Sequence, residues 1–76
     1  MNIQFTVVST YEECTHILIE ENNVQKLNAF GVKYGKVYNL LYDQKEEEYY
    51  IVNDEGKGCI AFDTIIQVKL LRQNIK

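Results

Sequence analysis

The residues best suited to covalent catalysis are one histidine and two cysteines, and two of these three lie close together. Cys14 and His16 are two positions apart, so their side chains share one face of a strand but point about 200° apart on a helix. A cysteine–histidine pair that activates a thiolate can therefore form only if this segment is a strand. Even with Cys59, the set falls short of four zinc ligands. We predict that the chain is not an enzyme and has no catalytic residues, no metal and no cofactor.

The acidic residues offer a second kind of chemistry, because adjacent carboxylates can hold a divalent cation. The tightest cluster is Glu46-Glu47-Glu48, which we interpret as solvated charge at the tip of a hairpin. Asp54-Glu55-Gly56 is similar to the start of a calcium-binding loop, but the later ligand positions of such a loop are missing. Gly56 and Gly58 lack the following helix of a phosphate-binding loop. These segments therefore predict turns and not ion sites.

Aromatic residues are the most informative feature, because two successive strands carry large side chains on both faces. On the first strand, one face holds Tyr38, Leu40 and Tyr42. On the second strand, Tyr50 and Val52 share one face, and Tyr49 and Ile51 share the other. A small barrel has one interior, about one side chain thick, and cannot bury both faces of both strands. Either the N-terminal segment covers the surplus face, or that face is exposed and marks a partner site.

We predict a partner-binding site on the sheet that carries these tyrosines. Its residues are Tyr42, Tyr49, Tyr50, Glu46, Glu47 and Glu48. Aromatic rings are common binding anchors, and a charged rim accelerates association with a surface of opposite charge. The alternative is a structural tyrosine stripe beside a solvated loop. If the site lies elsewhere, the next candidate is the N-terminal face around Glu13, His16 and Glu20.

Short strands joined by tight turns must position these residues. The expected strands span residues 2–8, 24–28, 36–43, 48–53, 59–62 and 67–71. Residues 63–65 fit one helical turn capped by Asp63, and residues 72–76 fit a frayed tail.

Residues 11–22 are open between two structures. Thr10 and Glu13 have the spacing of a capping box, which favours a helix that Asn22 and Asn23 would end. Residues 15–19 are rich in strand-forming side chains, which favours a strand. The cap and an apolar helical stripe make the helix the preferred prediction.

These elements predict a mainly β fold with a minor helical element. We expect one domain: a small barrel of about five strands over residues 24–71, with an N-terminal strand and short helix in residues 1–23 packed on it. The expected core residues are Phe5, Val7, Leu27, Tyr38, Leu40, Ile51, Ile60, Phe62, Ile66, Val68 and Leu70.

Three segments resemble a group of small Src-homology-3-like barrels of phages and low-GC bacteria. They are Val24-Gln25-Lys26-Leu27-Asn28, Tyr34-Gly35-Lys36-Val37-Tyr38-Asn39-Leu40-Leu41 and Tyr49-Tyr50-Ile51-Val52-Asn53-Asp54-Glu55-Gly56. The resemblance covers residues 24–71, although Ala61-Phe62-Asp63 stands where the group has an aromatic–proline step. It implies a barrel fold, and no functional residues, because most members have no assigned activity.

The composition is typical of one small globular domain, with 76 residues of which 46% are hydrophobic and 25% charged. No apolar stretch approaches the roughly 20 residues of a membrane helix. Met1-Asn2-Ile3-Gln4 is not the start of a signal peptide, so we expect a cytoplasmic protein without a membrane partner. The net charge of −3 lacks the basic footprint of nucleic-acid-binding proteins. Asn, Ile, Lys and Tyr are abundant, which is typical of an AT-rich genome.

Together these features predict a non-enzymatic protein-binding module encoded by a phage or mobile element. It would occupy a surface of a host protein and so inhibit or modulate an enzyme or a defence system. One alternative is a nucleic-acid-associated module of transcription or translation, because Lys33, Tyr34, Lys36 and Tyr38 interleave basic and aromatic side chains. The other alternative is a structural homo-oligomer.

Overall fold

Residues 4–74 are described by the computed structural model of the chain, and they form seven short strands and two short helices. The strands are β1 (Gln4–Val7), β2 (His16–Ile19), β3 (Val37–Asn39), β4 (Leu41–Asp43), β5 (Glu48–Val52), β6 (Gly58–Ile60) and β7 (Val68–Asn74). The helices are α1 (Val24–Phe30) and α2 (Phe62–Ile65), and a 3-10 turn spans Tyr11–Glu13.

The strands form two antiparallel sheets, of strand order β1-β7-β2-β3 and β4-β5-β6. Only Leu40 separates β3 from β4, so the chain leaves one sheet and enters the other at this residue. The prediction of a mainly β fold is confirmed. Within residues 4–74 the hydrogen-bond ladders do not close into one barrel, because the strands belong to two separate sheets.

The segment left open between helix and strand contains β2, so the preferred helix prediction is wrong. The Thr10 hydroxyl donates to the Glu13 carboxylate at 3.1 Å, but the Thr10 side chain makes no capping hydrogen bond to the backbone, and the helical geometry ends after one 3-10 turn. Ile17 and Ile19 are fully buried, and β2 lies between β7 and β3. Pairing on both edges and burial of β-branched side chains outweigh the local capping signal. Instead of belonging to an extension outside the barrel, β2 is a central strand.

Helix α1 stands where we predicted a strand over residues 24–28. The Asn23 side chain accepts hydrogen bonds from the backbone N–H groups of Gln25 and Lys26 at 3.0 and 3.2 Å, which caps the start of the helix. Gly31 ends the helix with a φ of 75°, and its N–H donates to the Leu27 carbonyl. Asn23 therefore begins a helix here, whereas we had expected it to end one.

The C-terminal elements also differ in their limits from the prediction. Ala61, with a φ of 54°, precedes α2, so Asp63 lies in its first turn and is not its cap. Strand β7 continues to Asn74 because β1 pairs along it, with Gln4 opposite Asn74 and Val7 opposite Leu71. The frayed tail predicted from residue 72 is therefore wrong for residues 72–74, while residues 75 and 76, like residues 2 and 3 of the first predicted strand, lie outside the described residues.

One hydrophobic core lies between the two sheets and the helices. Its buried residues are Ile17, Ile19, Leu27, Val32, Tyr38, Ile51, Phe62 and Ile66. Five of them were predicted: Leu27, Tyr38, Ile51, Phe62 and Ile66. Leu40, Val68 and Leu70 pack against the core while partly buried, and Phe5 is half-buried. Val7 and Ile60 were assigned to the core wrongly, since they are 60% and 54% exposed.

A network around the Asp54 carboxylate connects three elements. It accepts hydrogen bonds from the Lys36 ammonium group and from the Tyr38 hydroxyl, the latter at 3.1 Å. The Tyr38 hydroxyl in turn accepts from the backbone N–H of Lys33 at 3.0 Å, and the Asp54 N–H donates to the Gly31 carbonyl at 2.9 Å. We call this network the Asp54 clasp, because it holds the β5–β6 turn against β3 and the end of α1.

The first prediction concerns Ile51, which is fully buried in β5. Ile51→Ala is expected to lower the free energy of unfolding by about 2–5 kcal/mol, because the substitution leaves a cavity in the core. The denaturation midpoint in urea measures this loss. Val52→Ala on the same strand is the control and should cost less, since Val52 is 39% exposed. An unmoved midpoint for Ile51→Ala would contradict the core described above.

The second prediction concerns acid stability. The hydrogen bond from Lys36 lowers the pKa of Asp54, and the N–H of Asn23 lowers that of Glu21. In the unfolded chain both groups bind protons at higher pH than in the folded chain, so folding is favoured fully above their ordinary pKa values, about 3.9 and 4.3. As the pH falls below these values, this contribution is lost.

Thermal unfolding followed by circular dichroism between neutral pH and about pH 3 tests this sign. We expect Tm to fall with decreasing pH below the ordinary pKa values of the carboxyl groups. Asp54→Asn should lower Tm at neutral pH and weaken its dependence on pH, and the remaining dependence would include Glu21. If the Tm of the unsubstituted chain stays constant over this pH range, the prediction is wrong.

Candidate functional site

The predicted site lies on the hairpin of β4 and β5, whose turn spans residues 44–47. The Asp43 carboxylate accepts from the backbone N–H groups of Lys45 and Glu46 at 2.9 and 3.3 Å, which shapes the turn. Tyr42 pairs with Tyr49 across the hairpin. The turn and register place the glutamates at the end of the hairpin, as expected.

The face of this sheet that holds Ile51 points to the core, and Tyr49 lies on the same face within an aromatic row. The ring of Tyr49 stacks on that of Tyr11 with 5.0 Å between centroids, and meets Tyr42 edge to face at 4.8 Å. Tyr11 also contacts Phe62, at 6.3 Å between ring centroids. The N-terminal segment therefore covers Tyr49, on the core-facing side of the sheet, through Tyr11.

A hydrogen bond fixes this covering ring. The Tyr11 hydroxyl donates to the Asp63 carboxylate at 2.7 Å. Burial and this bond raise the pKa of Tyr11 above its ordinary value, so the phenol stays protonated and remains a donor. The 3-10 turn is thereby tied to α2 across the aromatic row.

The opposite face of the β4-β5-β6 sheet is apolar and exposed. Residues directly opposite in antiparallel strands share a face, and Leu41 pairs with Tyr50, which pairs with Ile60. Val52 lies two residues beyond Tyr50 on the same face. We call the side chains of Leu41, Tyr50, Val52 and Ile60 the outer face. Ile60 is 54% exposed, while Val52 and Leu41 are 39% and 38% exposed.

Carboxylates border one part of the outer face. An open cleft of about 500 Å³ is lined by Asp43, Glu46, Glu48, Tyr50, Gly58 and Ile60. No ion pair within residues 4–74 involves Glu46 or Glu48. The arrangement can therefore attract a positively charged group to an apolar surface.

The structure divides the predicted site between two faces. Tyr42, which is 48% exposed, and the half-buried Tyr49 lie on the same face as Ile51, whereas the half-buried Tyr50 lies on the outer face with Glu48. Sequence reasoning missed Leu41, Val52 and Ile60 as members of the exposed face, although Val52 was placed on the face of Tyr50. The alternation of side chains along β4 and β5 shows which residues share a face. It does not show which of the two faces packs against the core.

The other chemistry-bearing residues are held in structural contacts. Cys14 donates through its Sγ to the backbone carbonyl of His16 at 3.0 Å, and not to the imidazole ring. Burial raises the pKa of Cys14, which disfavours a nucleophilic thiolate. His16 Nδ1 shares a hydrogen bond with the Thr15 hydroxyl, and its ring packs on Phe5 at 5.0 Å. Among residues 4–74, no three His, Cys, Asp or Glu side chains are placed to bind a metal ion.

The basic and aromatic residues of the nucleic-acid alternative do not form one free surface. Lys36 is engaged by Asp54, and Tyr38 is only 6% exposed. Tyr34 is 66% exposed. Of the two tyrosines on which the nucleic-acid alternative was based, Tyr34 has an exposed ring and Tyr38 does not.

The N-terminal candidate around Glu13, His16 and Glu20 is likewise engaged. Glu13 lies 3.6 Å from the Arg72 guanidinium, and Glu20 lies 3.1 Å from the Lys69 ammonium group. These contacts are between exposed side chains and contribute little to stability.

A second groove, of about 650 Å³, runs past Glu21 and Asp63. Glu21 is only 6% exposed, and its two carboxylate oxygens accept from the N–H groups of Gln67 and Asn23 at 3.2 and 3.1 Å. The carboxylate therefore joins the start of α1 to the segment before β7, and it has a structural role.

Comparison with known proteins adds no family. No protein-family model, no curated protein and no solved structure matches the chain. The resemblance to Src-homology-3-like barrels stays a prediction. Among residues 4–74, neither helix has the length and apolar character needed to cross a membrane.

The third prediction separates a structural tyrosine from an exposed one. Tyr49→Ala should lower Tm by several degrees, because removing a ring packed between two others costs about 1 kcal/mol or more, and each kcal/mol shifts Tm by roughly 4–8 °C at this size. Tyr34→Ala is the matched control, since that ring is 66% exposed. Differential scanning calorimetry provides the measurement. Equal shifts for the two variants would show that Tyr49 is not structural.

Proposed function

We propose that the chain is a non-enzymatic binding module that occupies a surface of another protein through its outer face. The observation that carries this proposal is an exposed apolar sheet face bordered by carboxylates. Ile60, Val52 and Leu41 each expose more than a third of their surface on adjacent strands. Contiguous apolar patches of this kind are typical of interaction sites, and aromatic side chains such as Tyr50 are enriched in them.

The negative charge beside the outer face indicates which class of partner the chain binds. Asp43, Glu46 and Glu48 line the cleft next to Tyr50. They repel phosphate, and the counterpart they attract is a basic protein surface. In this arrangement the apolar residues supply most of the affinity, while the carboxylates accelerate the encounter.

The biological setting that we propose is a phage or mobile element acting on a host protein. The abundance of residues with AT-rich codons and the resemblance to small phage barrels support it. A protein of this kind acts by stoichiometric occupation, which needs one complementary face and no catalytic group. Binding would inhibit or modulate the host protein by covering its surface.

The fourth prediction uses two substitutions that introduce the same charge at different places. Ile60→Lys puts an ammonium group into the outer face and is expected to abolish capture of the partner. Val24→Lys is the control, because Val24 lies at the start of α1 and is 66% exposed. The three tagged chains are compared by quantitative mass spectrometry of proteins retained from a lysate of a low-GC bacterium.

The expected result is a protein retained by the natural chain and by Val24→Lys, lost with Ile60→Lys, and unaffected by nuclease. Circular dichroism checks that both variants fold. Capture that persists with Ile60→Lys would place the site elsewhere. Capture that disappears after nuclease treatment would favour the nucleic-acid alternative.

A further inference from the structure

The cleft beside Tyr50 combines three properties that suit one kind of side chain. It has an aromatic wall from Tyr50, an apolar wall from Ile60, and carboxylates from Asp43, Glu46 and Glu48. A group that fits must be flat enough to stack on the tyrosine ring, aliphatic along its stem, and positively charged at its end.

From this complementarity we propose that the cleft receives an arginine side chain of the partner protein. This inference rests on the proposed function and names the residue by which the partner is held. A guanidinium group stacks on aromatic rings and donates up to five hydrogen bonds in a planar fork, so it can contact the ring and two carboxylates together. A lysine has the charge but lacks the planar surface and the fork geometry.

Gly58 supports an occupied cleft. It lies in β6, and its φ is not in the left-handed region, so the backbone does not require glycine there. A Cβ atom at this position would lie 3.5 Å from Cδ2 of the Tyr50 ring, at ordinary contact distance. Gly58 is the first residue of β6 and adds no side chain to the outer face, and a glycine in a strand often marks a place where a ligand approaches closely. Here it leaves the flank of the tyrosine ring open.

The charge of the cleft also selects among occupants. A second copy of this chain would bring its own Asp43, Glu46 and Glu48 against the same groups, and two sets of like charges repel. A nucleic acid would bring phosphates to the carboxylates. A basic segment of a different protein is the occupant whose charge complements the cleft.

The experiment is a titration of the ¹⁵N-labelled full chain with two short peptides, followed by nuclear magnetic resonance. One peptide has an arginine flanked by valines, and in the other citrulline replaces the arginine, which keeps the shape and removes the charge. We expect the arginine peptide to shift the amide signals of β4, β5 and β6, and to bind at least about tenfold more tightly than the citrulline peptide, as a charge-assisted hydrogen bond requires.

Two variants of the chain sharpen this fifth prediction. Gly58→Val fills the space beside the Tyr50 ring and is expected to weaken binding of the arginine peptide about tenfold or more. The Tm of this variant should be equal or higher, because valine is a better strand residue than glycine. Glu46→Gln combined with Glu48→Gln should reduce the preference for arginine over citrulline. Val24→Lys should bind both peptides as the natural chain does.

The outcomes distinguish this inference from the proposed function. Equal binding of the two peptides, no saturable binding of the arginine peptide, or signals that shift outside β4, β5 and β6 would each overturn the arginine site. If Ile60→Lys still loses the captured protein in that case, the outer face binds a partner by other contacts. If Ile60→Lys retains it, the proposed function itself fails.

Discussion

A single core serves both sheets, and this constraint determines which surfaces meet water. A sheet that packs on one core turns one face towards it. In the β4-β5-β6 sheet the inward face contributes Ile51, which is fully buried, and Cys59, which packs against the core. The large side chains of the opposite face then have no second layer to cover them among residues 4–74. Their exposure follows from the position of the core.

The orientation of this sheet depends on the contacts at its edges. The Asp54 clasp holds the β5–β6 turn to β3. The Asn53 side chain donates to the Phe30 carbonyl at 2.8 Å, and this hydrogen bond connects the same turn to the end of α1. Gly31 is required at this contact, because a Cβ atom there would lie 2.7 Å from Nδ2 of Asn53, and its φ of 75° is unfavourable for other residues. The outer face is thus presented by a sheet whose turn is fastened on two sides.

Sequence patterns identified the elements whose structure is local. The hairpin of residues 44–47, the strand around Ile51 and the turn at Gly56 depend on turn chemistry and alternation, and all three were predicted. Strand β2 was not the preferred prediction, because it forms by pairing with residues about 20 and 50 positions away, whereas the capping-box spacing of Thr10 and Glu13 is a local signal.

The same distinction between local patterns and long-range contacts explains which parts of the candidate site were predicted. Alternation grouped Tyr50 with Val52 and Tyr49 with Ile51, which is the grouping observed. It could not show that Tyr11 would cover Tyr49, because this contact spans 38 positions of sequence and depends on how the N-terminal segment crosses the sheet. Helix α1 was missed for another reason: Asn23 is equally suited to begin a helix or to follow one, and only the packing of Leu27 decides between them.

The carboxylates near the outer face have two effects that act together. An exposed apolar sheet face favours association of identical chains, and acidic side chains beside it oppose that association because two copies would bring like charges together. In the proposed complex the same charges would attract a basic partner. The free energy of binding would come mainly from desolvating Ile60, Val52 and Tyr50, while the carboxylates determine which surfaces reach them. The exposure of this apolar face follows from the position of the core, and the end of the β4–β5 hairpin adds to it the negative charge of Glu46 and Glu48.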